Sequence, residues 1–277
     1  RELESLHARH YVERLENHRG APLVREKDNI VRAFWNIVKR HPNLAARAAL
    51  AATTLLRLEG TVEDRLDIIN AALDEEFDDP KLRAKLLSAR TTCQLSRGEF
   101  TAALADIEEG LEAADAGKTK STRAFLLYSR AEALGGRGQL RGALEALDEA
   151  IDIAESRKDR RGQATLGTSR ADIEFALGHL ESASRKWHSA LEIAHRKKFR
   201  DLRGRILVRM ARYDLLHGDM SAAGKRLDDA RRSTKSPSSE LQRVRDEALA
   251  ELLWTHGELD DATTQLANAL ELGDASD

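Results

Sequence analysis

A short motif recurs along this chain every 39 or 40 residues: a glycine, any residue, an apolar residue, two further residues and a small residue. Its five clear copies begin at Gly98, Gly138, Gly178, Gly218 and Gly257. A degenerate copy begins 38 residues before the first of these, at Gly60. Five copies in register do not arise by chance, so the chain is predicted to be an array of one repeated structural unit.

Small and large residues flank each glycine at constant offsets. Seven residues before the glycine the side chain is small, at Thr91, Ala131, Ala171, Ala211 and Ala250. Nine residues after it the side chain is large and apolar, at Ile69, Ile107, Leu147, Trp187, Leu227 and Leu266. Small and large residues alternating at helical spacing let two helices approach closely and interlock. Each unit is therefore predicted to be a pair of packed helices.

The glycine suits the end of the first helix, where a left-handed residue closes the helix at little steric cost. The apolar residue two positions later then begins the second helix. One such hairpin cannot bury its apolar face alone, so neighbouring hairpins must stack. The predicted hairpins span about 42–77, 80–115, 119–157, 160–197, 199–234 and 238–272. The predicted fold class is all-α.

Over about residues 42–272 the pattern resembles the tetratricopeptide repeat, which has a small residue in its first helix, a turn glycine and alanines at the helix crossings. The unit here is 40 residues long, against about 34 in that family. HEAT and armadillo repeats also run near 40, but the Gly-x-apolar-x-x-Ala turn argues against them. The resemblance implies a right-handed superhelical solenoid of about six hairpins over residues 42–277, behind an N-terminal helical cap over 1–41.

The composition favours no catalytic or membrane class. The formal net charge of −2 gives no overall attraction to nucleic acid or to anionic membranes. The single cysteine, Cys93, rules out an internal disulfide and a cysteine cage for zinc, and its repeat phase predicts a buried side chain. No apolar run reaches membrane-spanning length. We expect a cytoplasmic protein with no cofactor, no nucleic-acid partner and no membrane partner.

Three segments resemble reactive motifs and depart from each of them. Residues 112–119 lack the first glycine of a phosphate loop, and a helix precedes them where a strand is required, so Gly117 is predicted to cap that helix. Residues 135–142 carry a glycine spacing one residue too long for a dinucleotide loop. His7 and His10, with Glu4, could hold a metal, but surface histidines are the preferred interpretation. The sequence predicts no catalytic residue and no metal site, and therefore not an enzyme.

The first 41 residues lack the repeat, and residues 6–15 and 26–38 are each predicted to form an amphipathic helix, with Pro42 opening the next. Over about residues 6–60, with Glu26, Asp28 and Asn29 as its core, the chain resembles the junction ahead of the repeat sensor in bacterial STAND-type NTPase regulators. That resemblance implies the sensor region of a multidomain signalling NTPase. The alternative is a stand-alone scaffold or adaptor that mediates protein–protein interaction.

In tetratricopeptide repeats the first helices line a concave groove in which a partner binds, and the equivalent positions of this chain form a predicted groove set. The set comprises Lys85, Ser88, Thr92, Phe125, Tyr128, Glu132, Thr165, Thr168, Asp172, Arg205, Val208, Arg212, Val244, Glu247 and Glu251. Phe125 and Tyr128 are candidate aromatic anchors, or else pack on the neighbouring hairpin. The mixed charge of the set favours a protein or peptide segment as partner, with a small-molecule effector as the alternative.

Arginines form two further patterns. A basic cluster runs through residues 195–200 and continues at Arg203, Arg205, Arg209 and Arg212. It predicts either a contact with an acidic or phosphate-bearing partner or a solvated charged turn between repeats. Arginines at exact repeat spacing, Arg90, Arg130 and Arg170, are interpreted as structural. Each could reach a carboxylate on a second helix, such as Asp106 or Asp148, and so help to set the register of the repeats.

Overall fold

A computed structural model describes Leu6 and residues 9–14, 27–233 and 239–274. Every regular element in this part of the chain is an α-helix. Residues 9–14 are helical, and thirteen longer helices follow. They are α1 Lys27–Ile37, α2 Pro42–Glu59, α3 Val62–Leu73, α4 Pro80–Ser96, α5 Phe100–Ala116, α6 Lys120–Gly136, α7 Leu140–Ser156, α8 Arg160–Ala176, α9 Leu180–Arg196, α10 Arg200–Leu216, α11 Met220–Ser233, α12 Ser239–His256 and α13 Leu259–Asp274.

From α2 onward the helices follow one another as the six predicted hairpins, whose bounds agree with the prediction to within a few residues. Pro42 lies in the first turn of α2, where its missing N–H leaves no hydrogen bond unmade. None of the helices in the described residues is long and apolar enough to cross a bilayer. The all-α repeat fold predicted from the glycine spacing is confirmed.

The turns within the hairpins depend on left-handed glycines. Gly98, Gly138, Gly178, Gly218 and Gly257 have φ between +70° and +81°. Gly257 lies one residue past the end of its first helix, and the other four lie two residues past it. The apolar residue two positions after each glycine starts the second helix, as predicted. Gly60 departs from the pattern, since its backbone is extended with φ −138° and ψ 170°. There Thr61 and Asp64 form a reciprocal capping box that starts α3, so the turn does not need a left-handed residue.

Three of the turns between hairpins use lysine in place of glycine. Lys118, Lys158 and Lys198, again 40 residues apart, have φ of 53°, 55° and 57°. After α5 the amide of Thr119 donates to the carbonyl of Ala114 at 2.8 Å, and that of Lys118 to Asp115 at 3.0 Å. These are the two hydrogen bonds of a Schellman motif. The prediction that Gly117 caps this helix is confirmed, since Gly117 is its right-handed C-cap residue and Lys118 after it takes the left-handed position.

The chain divides into two compact units, Arg1–Ile153 and Ala154–Asp277, with the division near the end of α7. In the first unit, Ile30, Phe34 and Ile37 of α1 share one core with Ile69 and Leu86. The predicted cap helix is thus packed into the same core as the hairpins that follow it. The division of the sequence at residue 41 stays a prediction.

In the second unit Trp187 is 2% exposed and packs with Ala171, Ile206 and Met210. The alanines predicted at helix crossings are fully buried throughout the described hairpins, at Ala103, Ala143, Ala183 and Ala223. A side chain of one carbon there lets the paired helices approach closely. The predicted repeat register is therefore correct in both units.

Candidate functional site

The predicted groove set is distributed over the first helices of five hairpins. In the first unit α4 carries Lys85, Ser88 and Thr92, and α6 carries Phe125, Tyr128 and Glu132. In the second unit α8, α10 and α12 carry the other nine. The exposed members are Lys85, Thr92, Phe125, Glu132 and Glu251, and the half-buried members are Ser88, Tyr128, Thr165, Asp172, Arg205, Arg212, Val244 and Glu247.

Thr168 and Val208 are buried, so their assignment to a groove is wrong. Thr168 is 4% exposed, and its hydroxyl donates to the carbonyl of Ala164 at 2.7 Å. Val208 is completely buried in the core of α10, α11 and α12. A first helix inside an array is covered by the helices that precede and follow it, which leaves only a narrow exposed stripe. Positions projected from a shorter repeat need not fall on that stripe.

Two aromatic side chains mark the stripe of α6 in the first unit. Phe125 is 42% exposed, and its ring lies 6.4 Å from that of Tyr128 at an angle of 51°. Two residues before Phe125, Arg123 contacts Asp115 at 2.6 Å and also contacts Glu149. The hydrogen bond with Glu149 raises the pKa of Arg123, so the guanidinium stays charged. The aromatic pair can offer a partner an apolar anchor, and the ion pairs of Arg123 hold α6 to the neighbouring helices.

Asp172 links three helices in the second unit. Its carboxylate accepts hydrogen bonds from Nε1 of Trp187 at 2.9 Å and from Nε of Arg209 at 2.5 Å. Desolvation raises the pKa of Asp172, and the charge of Arg209 opposes that shift. About a third of the side chain remains exposed, at 31%. Each carboxylate oxygen already holds a donor, so Asp172 primarily fixes α8, α9 and α10 to one another.

An ion-pair network joins α10 and α12. Arg212 donates to Oε2 of Glu247 at 3.0 Å, and Arg243 donates to Oε1 of the same carboxylate at 2.5 Å. Arg205 pairs with Asp201 on its own helix at 2.9 Å. Arg212 and Glu247 of the predicted groove set therefore contact each other across the two helices. The stripe here carries both signs of charge and suits a partner that carries both donors and acceptors.

The prediction that a repeating arginine pairs with a second-helix carboxylate is confirmed in the hairpin of α4 and α5. Arg90 donates to both oxygens of Asp106 on α5, at 2.6 and 2.7 Å, and to Oδ1 of Asn70 on α3 at 3.1 Å. Arg170 instead contacts Glu174 on its own helix. A pairing of Arg130 with Asp148 stays a prediction.

Sequence reasoning missed a reversal of this ion pair in the second unit. Asp106 lies eight residues after its turn glycine, Gly98. At the same offset from Gly178 and Gly218 the residue is a cation, Lys186 and Arg226 respectively. These cations face carboxylates four residues before the glycine: Lys186 lies 3.6 Å from Glu174, and Arg226 lies 2.7 Å from Asp214. The carboxylates of all three pairs are buried. Comparing charges between repeats at these two offsets would have revealed the pairing.

Among the described residues, no group of three His, Cys, Asp or Glu side chains is placed to hold a metal. Glu4 and His7 lie outside the described residues, so the structure does not address the metal arrangement weighed there. Cys93 is 2% exposed, which confirms its predicted burial, and burial raises the pKa of its thiol. A buried neutral thiol is a poor nucleophile and a poor metal ligand.

No protein-family model matches this chain, and no curated protein matches it in sequence. Solved structures resemble it in fold. Apo RapI is 11% identical, with a TM-score of 0.73 over 98% of this chain and 97% of RapI. NprR in complex with its cognate peptide NprX is 16% identical, with a TM-score of 0.68 over 90% of this chain and 75% of NprR.

A third similar structure names the kind of repeat. A putative kinesin light chain with nearly identical TPR-like repeats, from Podosopora anserina, is 15% identical, with a TM-score of 0.51 over 73% of this chain and 99% of that protein. Identities this low show the fold alone. Together with the hairpin geometry they establish an all-α repeat solenoid of the TPR-like class.

Proposed function

We propose that this chain is a non-catalytic binding domain whose first helices bind a protein or peptide segment. The observation that carries the proposal is the exposed Phe125 beside Tyr128 on α6. Aromatic side chains supply much of the binding energy at protein interfaces, and 42% exposure leaves this ring available to a partner. The likeness in fold to NprR, whose structure contains a cognate peptide, supports the same class of ligand.

The second unit supports a polar role in the same function. Arg212, Arg243 and Glu247 form a half-buried network whose members can exchange partners with the charged side chains of a ligand. The network holds two guanidinium groups and one carboxylate, so it offers a ligand both signs of charge. It favours a segment of mixed charge, which is the partner predicted from the sequence.

We further propose that this binding domain is the sensor region of a multidomain bacterial signalling NTPase in the cytoplasm. The support for this context is the sequence resemblance over about residues 6–60. The second candidate is a stand-alone scaffold, which Trp254 and Leu270 favour because they are 64% and 69% exposed on the last hairpin. Exposed apolar side chains of this size mark contacts with other proteins.

The binding proposal is tested with a phage-displayed library of random peptides selected on the immobilised chain. Enriched peptides should bind the wild type and bind Phe125→Ala at least about tenfold more weakly, the loss expected for an aromatic anchor. Leu259→Ala is the matched control, because Leu259 is 53% exposed but lies on a second helix. Equal affinity of the peptides for both variants, or no enrichment, would refute the proposed surface.

The sensor context is tested in the full-length protein encoded by the gene. A selected peptide should change the rate of ATP hydrolysis, and the change should be absent in Phe125→Ala. If the gene encodes no NTPase domain, the sensor proposal is refuted and the stand-alone scaffold becomes the preferred function. Peptide binding by the isolated chain would stand in either case.

A further inference from the structure

A cleft of about 500 Å³ lies in the second unit where α9 ends and α10 begins. Five of its seven lining residues carry basic side chains, namely His195, Lys198, Arg200, Arg203 and Arg232, and the other two are alanine and serine. No acidic residue lines it. Four of the five, His195, Lys198, Arg200 and Arg203, belong to the predicted basic cluster, and none of them belongs to the predicted groove set.

These basic side chains are almost unneutralised by the described residues. Arg232 lies 3.2 Å from Asp229 on its own helix, and both side chains are largely exposed, so the pair contributes little. The other four make no ion pair and no side-chain hydrogen bond within the described part of the chain. Asp201, which lies beside Arg200 in sequence, is held by Arg205 at 2.9 Å. Several like charges facing one cleft repel one another unless an anion joins them.

The start of α10 adds to the same field. The N-cap residue Phe199 offers no side-chain acceptor to the first-turn amides. At the equivalent place one repeat earlier, Asp159 accepts a hydrogen bond from the amide of Gly162 at 2.9 Å. The first amides of α10 therefore lack the capping carboxylate that α8 has, as do those of α6 and α9, and the first-turn carboxylate of α10, Asp201, is held by Arg205. A bound anion would supply the missing acceptor and offset the repulsion.

We propose that this cationic cleft, lined by Lys198, Arg200, Arg203 and Arg232, binds a phosphate group. A phosphate presents several acceptor oxygens around one centre and is matched by guanidinium donors converging from different elements. Arg200 and Arg203 come from the first turn of α10, and Arg232 comes from the last turn of α11. The group could be inorganic phosphate or the phosphorylated side chain of a protein, since both offer the same oxygens. The proposal is independent of the peptide groove.

The test is calorimetric titration of the chain with inorganic phosphate, and separately with a phosphoserine peptide and its unphosphorylated form. The double variant Arg200→Gln/Arg203→Gln should bind phosphate at least about tenfold more weakly than the wild type, because charge-assisted hydrogen bonds are lost. The control is Arg185→Gln/Lys225→Gln, which removes two exposed cations of the same unit outside the cleft and should bind like the wild type.

Three outcomes are informative. Tighter binding of the phosphopeptide than of inorganic phosphate would identify a modified protein as the source, and the reverse would identify free phosphate. If no heat of binding is detected at about 10 mM phosphate, the Kd lies above that concentration and the site is refuted. Equal weakening in both double variants would also overturn it, since the effect would then be one of net charge. Melting curves in phosphate and in chloride at equal ionic strength check that each variant is folded.

Discussion

Two residue types occupy the left-handed region of backbone space at fixed places in this chain. Glycine takes this conformation in five of the turns within hairpins, and lysine takes it in three of the turns between hairpins. Glycine adopts this conformation without a steric clash, whereas the Cβ of any other residue destabilises it by about 1 kcal/mol or more. At Lys158 the two hydrogen bonds that close the turn, from Lys158 to Glu155 and from Asp159 to Ala154, are each 2.9 Å long and offset that cost. Backbone conformation at single residues thus sets where each helix ends.

A pair of glycine substitutions should have opposite effects on stability. Gly178 has φ +80° and open space around it, so Gly178→Ala should destabilise the fold by about 1 kcal/mol through backbone strain alone. Gly167 lies inside α8 with equally open space and no positive φ, so Gly167→Ala should stabilise by about 0.5–1 kcal/mol. Urea unfolding followed by circular dichroism measures both. Changes of the same sign would contradict the turn assignment.

The buried carboxyl of Asp214 should make stability depend on pH. Desolvation raises its pKa, with the charge of Arg226 opposing the shift and Asp219 adding to it. The folded state therefore binds the proton more tightly than the unfolded state, and the stability contributed by the carboxyl is lost as pH rises through its raised pKa. The stability of Asp214→Asn relative to the wild type should increase from about pH 4 upward.

This pH dependence is measured by urea unfolding of both proteins at several pH values. Asp228→Asn is the control, since it removes the same charge from an exposed position on α11. A stability difference between Asp214→Asn and the wild type that stays constant with pH would show that folding does not shift the titration of Asp214.

At the scale of the element, a hairpin is defined by the approach of its two helices. Ala183 on α9 is fully buried, and it shares a core with Ala171 of α8 and Met210 of α10. The reversed ion pairs, such as Arg226 with Asp214, lie at the same crossings. Apolar contact supplies the stability of the crossing, and the buried pair restricts which carboxylate and which cation can meet. A side chain larger than alanine at the crossing would clash with the facing helix.

Replacing Ala183 with Phe should overpack the crossing and cost about 1–3 kcal/mol. The control is Ser189→Phe, at an exposed position of the same helix, where the added ring meets solvent. Thermal and urea unfolding of the two variants report the difference. If Ala183→Phe unfolds like the wild type, the alanine does not lie at a helix crossing and the repeat register is wrong.

At the scale of the whole molecule, the chain consists of two compact units, each with its own buried core. In repeat proteins each hairpin contacts chiefly its sequence neighbours, so stability is close to a sum of hairpin and nearest-neighbour contributions. Binding surfaces follow the same logic, because each first helix offers its own exposed stripe. A change in one hairpin should therefore have little influence on a distant one.

Overpacking two distant hairpins should have additive effects. Ala103 and Ala223 are fully buried, lie in different units and are three repeat lengths apart in sequence. The loss of stability in Ala103→Phe/Ala223→Phe should equal the sum of the single losses to within about 0.5 kcal/mol. Urea unfolding of the three variants under one condition makes the comparison. A coupling of more than about 1 kcal/mol would show energetic communication along the array.

The sequence alone determined the helices, their hairpin order and the turns at Gly98 to Gly257, because helix periodicity and a left-handed glycine are local properties of the chain. It also identified the buried alanines, whose spacing repeats with the turns. Only the tertiary structure decided which groove positions are accessible, and it removed Thr168 and Val208. It alone revealed the cationic cleft beside α10, to which α9, α10 and α11 each contribute a basic side chain. These features depend on side chains brought together from separate helices, and a one-dimensional pattern does not record that proximity.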